Sequence, residues 1–158
     1  MESMFVTGRS IFRIRQTMGV SEEQMTVTVT QDDRLEWTYR QASWRPLAVG
    51  RGSSSAYIWS ARDLVVLPER PGEDPSVLTF DEDLLFVFNT EAGWVLVCEA
   101  SVRLITGQGQ ESRIDLADAV ERARWTGGSL QVEDAQGIVT AIAVADNRLA
   151  MTPGQASG

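Results

Sequence analysis

The stretch WSARDLVV (residues 59–66) returns in outline as WTGGSLQV (residues 125–132). Both read Trp, then Ser or Thr, then Ala or Gly, two free positions, Leu, one free position and Val. As structure, that pattern is the end of one strand, a tight turn and the start of the next. Working outward from it, the same alternation of strand-like runs and turn residues fills most of the chain.

The runs are FVTGRSIFRIR (5–15), MTVTVT (25–30), RLEWTYR (34–40), AYIWS (56–60), DLVVL (63–67), SVLTF (76–80), LLFVF (84–88), WVLVCEASVRLI (94–105), SLQVE (129–133) and GIVTAIAV (137–144). Between them stand QDD, PERPGEDP, DED, TEAG, TGG and DAQG, all built from turn-forming residues. Connections this short favour antiparallel hairpins over parallel crossovers. The expectation is an all-β fold, mainly an antiparallel meander: a sandwich or partly open barrel, or alternatively propeller-like stacked sheets. About ten to twelve strands would make at most three four-stranded blades. A looser echo pairs QASWRPLAVGRG (41–52) with EASVRLITGQG (99–109).

One segment departs from the strand pattern. SRIDLADAVERARW (112–125) sets Ile114, Ala117 and Val120 at helical spacing behind a capping Ser112, and predicts one short helix lying over an edge or end of the sheet. In WVLVCEASVRLI, Trp94, Leu96, Cys98, Ala100, Val102 and Leu104 alternate as a single core-facing row. Residues 1–151 are expected to form a single β domain and 152–158 a disordered tail.

Composition narrows the chemistry. The chain of 158 residues carries a net charge of -8 and has no His. All 14 basic residues are Arg, so Lys is absent too. Ser-His-Asp and Cys-His relays, imidazole metal sites, Schiff bases and the P-loop lysine are excluded. GRGSSS (50–55) therefore resembles a phosphate loop only in its small residues. The acidic balance opposes nucleic acid and anionic membrane partners, and no apolar run reaches the roughly 20 residues that span a bilayer. A single cysteine, Cys98, and an N-terminus without the plan of a secretory signal point to the cytoplasm. No cofactor and no metal site are expected. The acidic group Asp81, Glu82 and Asp83 reads as a solvated turn, and Glu99 as a surface residue or a cross-strand partner of Arg.

What remains points to a non-catalytic, cytoplasmic protein-binding module. A small-molecule-binding barrel or sandwich is the second reading, and a carboxylate-based hydrolase the third. Arg40, Trp44 and Arg45 have the composition of an interface hot spot. LLFVF and WVLVC offer apolar side chains on both strand faces, which suggests a homodimer with Phe86 or Phe88 at the contact. Because neither His nor a second Cys exists to ligate a transition metal, chelation with EDTA is expected to leave the melting temperature unchanged; a large drop in a thermal scan would promote the Asp81–Asp83 group to a cation site.

Overall fold

The structure, a computed structural model, describes residues 2–7, 10–18, 25–41, 48–51, 56–68 and 73–151. Among these are sixteen strands and no helix. The first sheet consists of β1 (Glu2–Thr7), β2 (Ser10–Met18), β3 (Met25–Gln31) and β4 (Leu35–Gln41); the second of β5 (Ala48–Arg51), β6 (Ala56–Ser60), β7 (Asp63–Val66) and β8 (Ser76–Thr79). The third contains β9 (Leu84–Thr90), β10 (Gly93–Cys98), β11 (Ser101–Ile105) and β12 (Glu111–Asp115); the fourth β13 (Val120–Thr126), β14 (Ser129–Asp134), β15 (Val139–Ala145) and β16 (Arg148–Met151). Each sheet is a four-stranded antiparallel meander with its strands in chain order, and none closes into a barrel.

The chain divides into two compact units, residues 1–81 and 82–158. In the first, alternate residues of β2 and β3 (Phe12, Ile14, Val27, Val29) pack on Ala56, Ile58, Val65 and Leu67 of the second sheet. In the second, Val95, Val97, Val102 and Leu104 of the third sheet pack on Leu130, Val132, Ile142 and Leu149 of the fourth. Each unit is thus a sandwich of two meanders, with period-two alternation deciding which side chains enter the core.

Short turns set this topology. Residues 61–62, 91–92, 99–100, 127–128 and 146–147 each join two neighbouring strands, and two-residue connections permit only antiparallel hairpins. The echo that opens the sequence is such a hairpin twice over: Trp59 stands opposite Leu64 and Trp125 opposite Leu130. The first is the middle hairpin of its sheet and the second the opening hairpin of its own, so the echo is turn chemistry and not equivalence of position.

Several expectations are corrected. The segment 112–125 is not a helix; it supplies β12, a loop and β13. Ser112, Ile114 and Leu116 also alternate with period two, and the ladder that pairs β12 with β11 from Ser101–Asp115 to Ile105–Glu111 selects that reading. FVTGRSIFRIR splits into β1 and β2. WVLVCEASVRLI is not one strand, because it turns back at Glu99–Ala100. The turn breaks the alternation: Leu104 lies opposite Val95, and Arg103 opposite Leu96, so Arg103 joins the face of Leu96 and Cys98 and Leu104 leaves it. Four sheets stand where the sequence suggests material for three at most: two runs fold into the hairpins β1–β2 and β10–β11, the segment 112–125 supplies β12 and β13, and β5 and β16 lie outside the runs.

Turn geometry yields a direct test. Gly127 and Gly128 sit at φ of 58° and 82°, whereas the equivalent turn in the second sheet holds Ala61 at φ 50°. An alanine in the left-handed region meets its own carbonyl, which glycine avoids. Gly127→Ala should lower the unfolding free energy by about 1 kcal/mol, and Ala61→Gly should raise it by a few tenths up to about 1 kcal/mol. Urea midpoints of the two variants check both signs.

Candidate functional site

Two features of the second unit gather candidate side chains: a charge cluster built on buried Arg103 at the β10–β11 hairpin, and the solvent face of the β13–β16 sheet.

The cluster begins at Glu82, just ahead of β9. Its Oε1 accepts the Ala100 amide at 2.9 Å, and its Oε2 accepts the Ser101 hydroxyl at 2.5 Å and an Nη2–H of Arg103. Arg103, only 5% exposed, also donates from Nε to Ser101 Oγ at 3.2 Å. Its Nη1 lies 3.7 Å from Glu111, while Arg113 Nη2 lies 3.7 Å from Glu82 and Arg113 Nε donates to Asp115 at 2.8 Å. A carboxylate and a guanidinium removed from water are tolerable only when paired and hydrogen-bonded, and here every oxygen of Glu82 is used.

Electrostatics follow from that geometry. Burial pushes the Glu82 pKa upward, but hydrogen bonds from Ser101, Arg103 and the Ala100 amide, with the Arg103 charge, outweigh it and hold the pKa below the ordinary glutamate value. Glu82 therefore stays ionised at neutral pH and is no proton donor. Burial, reinforced by the Glu82 charge, pushes the neighbouring Cys98 thiol up to about 11, far from the thiolate that a nucleophile needs. Tyr39 in the first unit is likewise raised, by burial and then by Asp63. Among the described residues no group of three or more His, Cys, Asp or Glu is arranged to hold a metal ion. What the cluster can do is fasten: it ties the residue before β9 to the hairpin that follows.

The second feature is open. On the solvent face of the fourth sheet, Arg122, Glu133 and Val139 form one cross-strand row and Arg124, Gln131 and Ala141 the next. A shallow depression of about 370 Å³ lies over Arg122, Arg124, Gln131, Glu133 and Val139. Val139 is 47% exposed, and both arginines are exposed. Among the described residues, neither guanidinium forms an ion pair or hydrogen bond.

The residues singled out in the sequence are placed as follows. Arg40 is exposed on β4, the edge strand of the first sheet, opposite Thr26. Trp44 and Arg45 lie outside the described residues, so the trio is not assembled within them. Phe86 and Phe88 stand on β9 opposite Val97 and Val95, partly buried against the core shared with the fourth sheet. Glu99 is exposed in the turn before β11. Glu82, read from the sequence as part of a solvated turn, is instead the partner of Arg103, and the sequence reading does not point to Arg103, Arg122 or Arg124. An arginine between Val102 and Leu104 was the available signal for the cluster; the helical reading of 112–125 hid the Arg-x-Arg row.

Removing one member of the buried pair strands the other. Arg103→Met should lower the unfolding free energy by about 3 kcal/mol, and the double variant Glu82→Gln with Arg103→Met should cost clearly less than the sum of the single changes. Additive losses in urea denaturation would show that the two side chains are not coupled. The pH dependence has a definite sign. A carboxylate with a depressed folded-state pKa adds stability that is present above its unfolded value of about 4.3 and is lost as pH falls through the lower folded value. Stability should therefore decline below about pH 4.3, and Glu82→Gln should flatten that decline in acid titrations of the denaturation midpoint. Comparison of the sequence with protein-family models and with curated proteins finds no match.

Proposed function

We propose that the chain is a non-catalytic protein-binding module whose partner docks on the solvent face of the β13–β16 sheet. The observation that carries this reading is the pair of exposed guanidiniums of Arg122 and Arg124, unpaired among the described residues, in a chain of net charge -8, on a face that also carries Glu133 and half-exposed Val139. Arginine is among the residues enriched at recognition surfaces. The two other readings find less support. A small-molecule site is ordinarily an enclosed, mostly apolar pocket, whereas depressions among the described residues are open, at about 220 Å³ over Arg13, Arg15, Asp33 and Glu36, about 220 Å³ over Leu116, Val120 and Ile138, and about 370 Å³ over the arginine row. A carboxylate hydrolase needs an acid with a raised pKa, and Glu82 is shifted the other way.

A homodimer is a competing form of the same reading, since Phe86 and Phe88 stand on the edge strand β9 and keep part of their surface exposed. Sedimentation at micromolar concentration decides it, a mass near 17.4 kDa rejecting the dimer. The docking face is tested by the double charge reversal Arg122→Glu with Arg124→Glu, both at exposed positions where the fold should tolerate it. In affinity purification from a lysate of the native cells, proteins retained by the wild type should be lost from the variant at unchanged melting temperature. Equal retention by both would reject this face.

A further inference from the structure

The face just described ends at an unpaired strand edge, and its chemistry specifies what fits there. β13 is the outermost strand of its sheet, pairing only with β14. The β13–β14 ladder closes on the two-residue turn 127–128 with Thr126 opposite Ser129. In such a hairpin the closing pair exchanges both hydrogen bonds and the next pair exchanges none. The amides and carbonyls of Trp125 and Ala123 consequently point away from β14, toward the open edge, and none of the remaining backbone hydrogen bonds among the described residues uses them. An open edge carrying free donors and acceptors is a template for another strand.

Side chains flank that template in two rows. On the solvent face are Arg122 and Arg124. On the other, Ala123 and Trp125 are partly buried against the core, as are Phe86 and Phe88 of β9, which lies across the sandwich from β13. Residues paired across a ladder share a face, so a strand added here would set alternate side chains beside the arginines and the intervening ones beside the aromatic rim.

Resting on the proposed docking face, we infer that β13 receives an extended acidic peptide by strand addition, with Asp or Glu alternating with apolar residues. Charge selects this occupant. A second copy of β13 added antiparallel would bring the arginines of both copies onto one face as neighbours, a like-charge arrangement that opposes pairing. Carboxylates at those positions instead meet two guanidiniums that have no other partner. The main-chain hydrogen bonds supply affinity and the alternating pattern supplies selectivity, as in other strand-addition complexes.

The probe is a fluorescent peptide of roughly eight residues alternating Glu and Val, titrated into the full chain by anisotropy at low and high salt. The expected result is saturable binding that weakens with salt, falls at least about tenfold in the Arg122→Glu, Arg124→Glu variant, and is absent for a Lys-Val peptide. The same peptide N-methylated at alternate amides should also lose at least about tenfold, and amide exchange at Ala123 and Trp125 should slow on binding. No saturable binding, or equal binding by wild type and charge-reversed variant, overturns the proposal. Binding that needs the arginines but ignores N-methylation and leaves those amides unprotected overturns strand addition alone and keeps the docking face. A dimer whose exchange protection already covers Ala123 and Trp125 assigns the edge to a second copy and overturns the peptide as occupant.

Discussion

Closure of hairpins by two-residue turns is the constraint on which the rest of this architecture depends. Once Cys98 is followed by a two-residue turn and Ser101, β11 can only run back beside β10, and the turn itself fixes the register. Repeated along the chain, this rule gives sheets whose strands follow one another in order, each assembled from near neighbours in sequence. Such local pairing keeps the entropic cost of loop closure small. It also fixes the parity of every strand, and parity decides which residues enter a core.

Parity alone would have left the third sheet with an awkward residue. Leu96 and Cys98 are fully buried on the face opposite the shared core, and the turn at 99–100 delivers Arg103 to that same face. A buried guanidinium would be costly there without a counterion. Glu82, just ahead of β9, supplies it, and the hydroxyl of Ser101 and the amide of Ala100 complete the carboxylate's coordination. The pair therefore ties the residue just ahead of β9 to the β10–β11 hairpin.

Functional potential is left at the margins of the sheets. The fourth sheet buries Leu130, Val132 and Ile142 on one face and shows Arg122, Arg124, Gln131 and Val139 on the other. On the proposed reading, unpaired arginines on an edge strand of an acidic protein would serve two ends: they would discourage edge-to-edge association of identical copies, and they would present a site for a partner of opposite charge. The same β-sheet physics that builds the molecule thus defines the surface proposed for recognition.

By itself the sequence determined the all-β class, the hairpin connections and the absence of His and Lys, because turn chemistry, period-two alternation and composition are local properties of the chain. It identified the Trp–turn–Leu hairpins at 59–64 and 125–130 without distinguishing their places within a sheet. Tertiary structure alone decided the residues that compete between periodicities. In 112–125, Ile114, Ala117 and Val120 satisfy a helix while Ser112, Ile114 and Leu116 satisfy a strand, and only the ladder offered by β11 makes the strand the lower-energy choice. It likewise decided that Glu82 of an apparently solvated DED turn is partly buried and paired with the buried Arg103, since their distance in space depends on a hairpin folding back between them. Charge pairing across such a gap is set by register, and register is known only when neighbouring strands are in place.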